Sequence, residues 1–283
     1  MSRTAKDGSR RTWGTRLCLV AALTAMSAAL IAGPTGVAYE RALGALGERD
    51  IPAAIAGLEE ALPLAATPDD EATVNMLLGL CYLWEHEWDK GIEAYRAVLR
   101  HDPDMGLDLP EQRVLGLNAQ MGLGQCYYGK GDLATAISWW EQVLRADPDA
   151  ERAATLLLRA RRELGQVGRL TAPPMVFVGG KYLAGTVRES EGHLLVPASD
   201  LGRLLGSKVA PGAEDQRVEL SSKAHTLVLS VGSKTAVIDG KRLTMPAAPV
   251  LAQGEHLVPL RWVAEAFGRK VKWEATPRVA RVG

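Results

Sequence analysis

Histidine, cysteine and carboxylate side chains could hold a metal ion or move protons, but their spacing in this chain favours neither. No two histidines stand in an H-x-H or other metal-ligating spacing. The five histidines are His86, His101, His193, His225 and His256. The three cysteines, Cys18, Cys81 and Cys126, form no C-x-x-C pair and offer neither a disulfide framework nor a structural zinc site. The sequence therefore predicts no bound metal and no cofactor.

The motifs of common hydrolases and nucleotide-binding enzymes do not occur in the sequence. There is no G-x-S-x-G nucleophile turn, no H-E-x-x-H and no phosphate-binding glycine loop. Neighbouring carboxylates such as Glu59-Glu60 and Asp69-Asp70 fall in helical or loop segments, where a solvated face is the usual role. We expect no catalytic activity.

Charge divides the chain into three segments. The formal net charge of the 283 residues is 0, but it is +4 for residues 1–38, −10 for residues 39–167 and +6 for residues 168–283. The acidic central segment argues against a nucleic acid partner, because phosphate binding needs clustered Lys and Arg. Hydrophobic residues make up 47% of the sequence, which is typical of folded domains.

The first segment, residues 1–38, has the pattern of an export signal. Five basic residues, Arg3, Lys6, Arg10, Arg11 and Arg16, precede an uncharged apolar run at residues 17–31. Because residues 32 and 33 lengthen this run toward the roughly 20 residues of a spanning helix, an uncleaved membrane anchor over residues 17–33 is the alternative. Either form predicts export of the remaining chain to the cell envelope or outside the cell, with this segment as the only membrane contact.

Residues 39–167 contain an internal repeat rich in Ala, Leu and Glu with helical spacing. Gly79-Leu80-Cys81-Tyr82 matches Gly124-Gln125-Cys126-Tyr127 at an offset of 45 residues. An earlier, weaker copy places Asp50 at the position of Asp132. A period of this length predicts stacked helical units.

The repeat resembles the tetratricopeptide repeat, a helix-turn-helix unit whose signature is Leu-Gly, Tyr, Ala, an aromatic residue and Pro. The third copy has Leu123, Gly124, Tyr127, Ala136, Trp140 and Pro148 at these positions. The resemblance implies three repeats over residues 39–167, with a loop at residues 101–112 and a capping helix at residues 150–165. It also implies that Gly79 and Gly124 let the two helices of a repeat lie close together, with large residues filling the gap.

In tetratricopeptide arrays the first helices of the repeats line a concave groove that commonly binds a peptide. Carried over by position, the resemblance implies a groove lined by Met76, Leu80, Leu83, Trp84, Asn118, Met121, Gln125 and Tyr128. Such a lining suits a protein or peptide partner, since Met and aromatic side chains bury much area and Met adapts in shape. The alternative is that some of these residues pack only against the first repeat or the C-terminal domain.

A second duplication follows residue 170. Leu195-Val196-Pro197 matches Leu257-Val258-Pro259 at an offset of 62 residues, and Gly206 matches Gly268 at the same offset. Each copy has a strand pattern, a Pro that opens a short apolar helix and a Gly that ends it. The chain is therefore predicted to be multidomain: an all-α helical repeat array, then an α+β domain of duplicated strand-helix-strand units with a mostly antiparallel sheet and short helices.

Residues 258–268, followed by Val271 and Trp273, resemble the copper amine oxidase N-terminal-like domain, which we assign to residues 171–283. The resemblance implies an accessory module of bacterial envelope proteins that lacks the copper and quinone chemistry of the oxidases. An oxidase needs a Tyr after an Asn, and neither asparagine of this chain is followed by Tyr. Arg261 and Glu265, four residues apart on a helix, are expected to form an intrahelical ion pair or a structural bond to the sheet.

Together these patterns predict an exported, non-catalytic scaffold or adaptor of the bacterial cell envelope that binds a partner peptide in the groove. The alternative function is binding of an anionic cell-wall polymer by the basic C-terminal domain. The candidate residues for that function are Lys208, Lys241, Arg269, Lys270 and Lys272.

Overall fold

The computed structural model of the chain describes residues 34–101, 110–166, 168, 173–211 and 216–283. Residues 1–33 of the predicted export segment, which include the possible anchor at residues 17–33, lie outside the described residues, as does most of the predicted loop at residues 101–112. The chain divides into two units, residues 1–140 and 141–283, and each is described by itself.

Helices occupy the described residues up to 166 and confirm the all-α repeat region. They are α1 Pro34–Glu48, α2 Ile51–Ala61, α3 Pro68–Trp84, α4 Trp88–His101, α5 Pro110–Gly129, α6 Leu133–Ala146 and α7 Glu151–Gln166, with a 3-10 turn at Leu62–Leu64. Helix α1 begins four residues before the boundary expected at residue 38. Helix α5 begins within the expected loop, because a proline such as Pro110 is well tolerated in the first turn of a helix.

The second helices of the first and third repeats begin in the same way. The Asp50 carboxylate accepts a hydrogen bond from the Ala53 backbone N–H at 3.0 Å, and the Asp132 carboxylate accepts one from the Thr135 N–H at 3.1 Å. Each bond satisfies a donor that the first turn of a helix leaves unpaired. The two aspartates that align in the sequence repeat therefore have one structural role.

Glycines and aromatic rings lock the helices of the second and third repeats together. A methyl group at Gly79 would lie 2.7 Å from the Tyr95 ring, and one at Gly124 would lie 2.2 Å from Trp140 Nε1. Tyr95 also fills the space beside Gly122 of the next repeat. Since both rings are buried, they occupy the volume that a larger residue would need. The close approach of helices at Gly79 and Gly124 is confirmed.

Cys81 and Cys126 lie in the core of the repeats, and neither side chain is exposed. Burial raises the pKa of each thiol to about 12. A thiol with this pKa is uncharged at neutral pH and is a poor nucleophile. Both cysteines therefore act as small apolar core residues.

The second unit contains three sheets and two short helices, which confirms the α+β domain. The strands are β1 Met175–Val178, β2 Lys181–Tyr182, β3 Arg188–Ser190, β4 His193–Pro197, β5 Lys208–Pro211, β6 Arg217–Ser221, β7 Thr226–Ser230, β8 Thr235–Ile238, β9 Lys241–Thr244, β10 Val250–Ala252, β11 Glu255–Pro259, β12 Val271–Glu274 and β13 Val279–Val282; the helices are α8 Ala198–Leu205 and α9 Leu260–Ala266. The strand orders are β12-β13-β1-β2, β10-β11-β4-β3 and β5-β6-β7-β8-β9. Strands β1 and β13 are parallel, and the other pairs described are antiparallel.

The two copies of the duplicated unit meet where strands β4 and β11 pair. Val196 pairs with Val258. On either side of this pair, Leu195 pairs with Pro259 and Pro197 pairs with Leu257. Because Val196 and Val258 are equivalent positions, the pairing is symmetric about them. Pro197 and Pro259 then precede helices α8 and α9, as the sequence predicted. Each helix buries its apolar face in the core of this unit.

Helix α7 is held within the second unit by a buried arginine. The Arg161 side chain has no exposed surface. It donates hydrogen bonds to the Pro277 carbonyl at 3.1 Å, to the Pro173 carbonyl at 2.5 Å and to the Glu141 carboxylate at 3.2 Å. The helix expected to cap the repeats is therefore present, and it belongs to the unit that contains the sheets.

Candidate peptide-binding surface

Seven of the eight residues expected in the groove are partly exposed on helices α3 and α5. Their spacing of three or four residues places each set along one helix face, and the two helices are in direct contact. The seven half-buried residues are Leu80, Leu83 and Trp84 on α3, and Asn118, Met121, Gln125 and Tyr128 on α5. We call them the repeat surface.

Met76 does not belong to the repeat surface. Its side chain is 2% exposed and lies in the core of the first unit, in one cluster with Tyr39 and Leu58 of the first repeat. A side chain this deeply buried cannot contact a ligand unless the core repacks. The expectation that Met76 lines the groove is therefore wrong, and the alternative of packing with the first repeat applies to it.

Two apolar residues that the sequence analysis missed extend the α5 part of the repeat surface toward the start of the helix. Val114 is 52% exposed and Leu117 is half-buried. Val114 lies seven residues before Met121 and Leu117 lies four before it, so both follow the same helical period. Continuing that period from Met121 toward Pro110 would have identified them.

The α5 part of the repeat surface rests on fixed neighbours. The Met121 carbonyl accepts hydrogen bonds from Gln125 Nε2 at 3.2 Å and from the buried Trp140 Nε1 at 3.4 Å. The Tyr128 ring packs against the Trp140 ring, with 5.9 Å between their centroids. Since Trp140 also fills the space beside Gly124, the backbone under Met121 and Tyr128 is held by core packing. A surface fixed in this way loses little conformational entropy when a partner binds.

The basic residues proposed for polymer binding do not form one cluster. Lys208 lies on β5 and Lys241 on β9, the opposite edge strands of a five-stranded sheet. Four inter-strand spacings separate the two strands by about 19 Å. Arg269, Lys270 and Lys272 are exposed at and just before β12, which is an edge of another sheet. Long-range strand pairing separates residues that share only a charge, and polymer binding by these residues stays a prediction.

Other expected features of the chain can also be placed. Arg261 and Glu265 line one cavity but form no ion pair or hydrogen bond with the residues that the structure describes, so the expectation of an intrahelical pair or a bond to the sheet is wrong. Within residues 34–101, 110–166, 168, 173–211 and 216–283, no three His, Cys, Asp or Glu side chains are grouped so that they could hold a metal ion. None of the helices in that part of the chain is both long enough and apolar enough to span a membrane.

Two family models match separate parts of the chain. A family model of the tetratricopeptide repeat matches residues 39–106 and 85–151, and one of the copper amine oxidase N-terminal domain matches residues 180–282. Among solved structures, MamA designated MSR-1 is 19% identical, with 57% of this chain and 82% of that chain covered and a TM-score of 0.39. MamA designated AMB-1 is 20% identical, with 57% and 78% covered and a TM-score of 0.39. No curated protein matches the chain.

Proposed function

Because the chain carries tetratricopeptide repeats and a copper amine oxidase N-terminal domain, we propose that it is an exported, non-catalytic scaffold of the bacterial cell envelope whose repeat surface binds a partner peptide. The observation that carries the proposal is the row of half-buried apolar side chains on α3 and α5. The helices that present them are held in place by close packing of glycines against aromatic rings.

The chemistry of the repeat surface favours a peptide with apolar anchors. Leu83, Met121 and Tyr128 offer large side chains that are only partly covered by their own fold. Contacts of this kind supply most of the binding energy of protein interfaces when they become fully buried. Asn118 lies among them and provides an amide group that can pair with a peptide backbone.

Export and the lack of catalysis are supported by separate features. The basic stretch followed by the uncharged run at residues 17–31 has the order of a secretory signal. The buried thiols of Cys81 and Cys126 have a pKa of about 12, which removes them as nucleophiles at neutral pH.

Site-specific crosslinking in cells that produce the full chain tests the peptide site. A photoreactive benzoylphenylalanine in place of Leu83 should crosslink to one defined protein segment, which mass spectrometry can identify. The matched control places the same residue at Leu243, which is 48% exposed in the other unit. We expect the crosslink at the first position and not at the second.

Substitution on the neighbouring helix links the crosslink to the repeat surface. Met121→Asp, confirmed as folded by circular dichroism, should weaken the crosslink from position 83 by about tenfold or more, because a charge replaces an apolar contact. Equal crosslinking from positions 83 and 243, or an unchanged crosslink in the folded Met121→Asp variant, would exclude the repeat surface as the binding site.

A further inference from the structure

The second unit contains a cavity that the proposed function does not use. Its volume is about 350 Å³, which falls within the roughly 300–1,000 Å³ of small-molecule sites. Residues of the β3-β4 hairpin, of the first turns of α9 and of β12 enclose it. Two indole rings and four polar side chains supply its chemistry: Trp262, Trp273, Glu189, His193, Arg261 and Glu265. We call it the indole cavity.

Strand β12 presents one of the indole rings to the cavity. Val271 and Trp273 are two residues apart and both line it, while Lys272 between them projects from the opposite face of the strand. Ala280 pairs with Trp273 across the sheet, and its small side chain leaves room beside the ring. Trp273 remains 41% exposed. It therefore offers a flat apolar face to a ligand in the cavity.

Arg261 and Glu265 line the same cavity and have no partner among the described side chains. Neither side chain makes a hydrogen bond or an ion pair with any residue that the structure describes. Helix α8 of the first copy differs, because its Asp200 and Arg203 bind each other at 2.9 Å. An unpaired guanidinium and carboxylate in a cavity wall can donate to and accept from a bound molecule.

The charges of the indole cavity balance one another. Arg261 offsets Glu265, and the remaining carboxylate, Glu189, forms an ion pair with Arg278 at 3.4 Å. An anionic ligand would need an excess of positive charge and a cationic ligand an excess of negative charge. The cavity combines donors, acceptors and flat apolar faces instead. This combination matches an uncharged molecule that carries hydroxyl groups around apolar ring faces.

We propose that the indole cavity binds a neutral saccharide, with Trp273 stacked against a sugar ring and with Arg261 and Glu265 hydrogen-bonded to its hydroxyl groups. The size of the cavity suits a short segment of an oligosaccharide. The site lies within the second unit and does not depend on peptide binding by the repeat surface, so either proposal can fail without the other.

Isothermal titration calorimetry of the full chain with cellotriose, maltotriose and triacetylchitotriose tests the proposal. Because the full chain includes the possible membrane anchor at residues 17–33, the protein is kept in detergent. The detergent has no sugar headgroup, so that it does not compete with the trisaccharides for the cavity. We expect at least one trisaccharide to bind. Trp273→Ala and Glu265→Ala should each weaken that binding by about tenfold or more, whereas Trp273→Phe, which keeps a flat ring, should retain most of it.

Lys272→Ala is the matched control, because Lys272 neighbours Trp273 but faces away from the cavity. The Lys272→Ala variant should bind the sugar with the same affinity as the unchanged protein. Circular dichroism checks that each variant is folded, and the exposed Glu265 provides the test if the Trp273 variant is not. The proposal would be overturned if none of the three sugars bound. It would also be overturned if the folded Glu265→Ala and Lys272→Ala variants bound the sugar equally well. A titration with the peptide decaproline tests the alternative ligand. If decaproline binds and none of the sugars does, the cavity is a peptide site and the saccharide proposal is overturned.

Discussion

The buried guanidinium of Arg161 provides a direct test of how α7 is held in the second unit. Arg161→Met leaves a shorter, unbranched apolar side chain and removes the donors to Pro173, Pro277 and Glu141. Hydrogen bonds to a charged group contribute about 1.5–3 kcal/mol each, and removing one partner of a buried ion pair costs about 3–5 kcal/mol. Because Pro173 is exposed and the Glu141 side chain is 20% exposed, water offsets part of this loss. We expect the free energy of unfolding of this unit to fall by about 3 kcal/mol.

This loss should grow as the pH rises. Burial raises the pKa of Glu141, and Arg161 opposes that rise. Without Arg161 the folded-state pKa of Glu141 moves further above its unfolded value, so the variant loses stability as the pH rises through the folded-state pKa. In acid, where Glu141 is protonated in both states, the carboxyl group adds no such cost. The difference between the variant and the unchanged protein should then be smaller.

Hydrogen exchange measured by mass spectrometry on α7 and β13 follows this unit without assuming one unfolding transition for the whole chain. The control is Arg159→Met on the same helix, where an exposed pair with Glu163 contributes under about 0.5 kcal/mol. Equal losses of protection in the Arg161 and Arg159 variants, or a loss in the Arg161 variant that does not change with pH, would refute the reasoning.

Three further predictions concern other parts of the chain. Gly124→Ala should destabilise the first unit by about 2 kcal/mol because its methyl group would meet Trp140, whereas Gly44→Ala, with nothing within 4 Å, should stabilise it by up to about 1 kcal/mol. Similar urea midpoints for these two variants would contradict the packing argument. A hydrogen bond from Arg281 holds the pKa of Glu274 below its usual range in the folded protein. The Glu274 carboxylate therefore stabilises the fold at pH values above the pKa that it has in the unfolded chain, and this stabilisation is lost as the pH falls through its folded-state pKa. Glu274→Gln should therefore lower the thermal midpoint at neutral pH, and this effect should shrink as the pH falls through the folded-state pKa. A change that is the same at every pH would contradict the ion pair. Leu23→Arg should block export of alkaline phosphatase fused after residue 38, since a charge in the apolar run costs about 2.5–3.5 kcal/mol on insertion; unchanged phosphatase activity outside the cytoplasm would contradict the export signal.

Features set by local sequence could be predicted, and features set by long-range packing could not. Asp50 and Asp132 cap equivalent helices because a carboxylate at that position needs only the next turn of its own chain. Met76 follows the same helical period as Leu80, but the period does not reveal how far the first repeat covers the face of α3. The burial of Met76 depends on residues from α1 and α2, so it could not be inferred from its own helix.

The basic residues of the second unit illustrate the same limit. Lys208 and Lys241 each lie in a segment with a recognisable strand pattern, and both are exposed as expected. Whether they meet depends on the order of five strands, which hydrophobic alternation does not determine. The indole cavity was missed for a related reason, because β3, α9 and β12 come together only through tertiary packing.

The duplication in the second unit separates what the fold requires from what a site requires. Both copies open their helix with a proline and bury an apolar helix face, so these residues are needed for the fold. At the offset of 62 residues, Trp273 corresponds to Pro211 and Glu265 corresponds to Arg203, which is bound to Asp200. Since the first copy folds with a proline and a paired arginine at these positions, the architecture demands neither an exposed indole nor an unpaired carboxylate there. The proposed saccharide gives both residues a role that packing does not, and for that reason the Trp273→Ala variant should stay folded while its saccharide binding weakens.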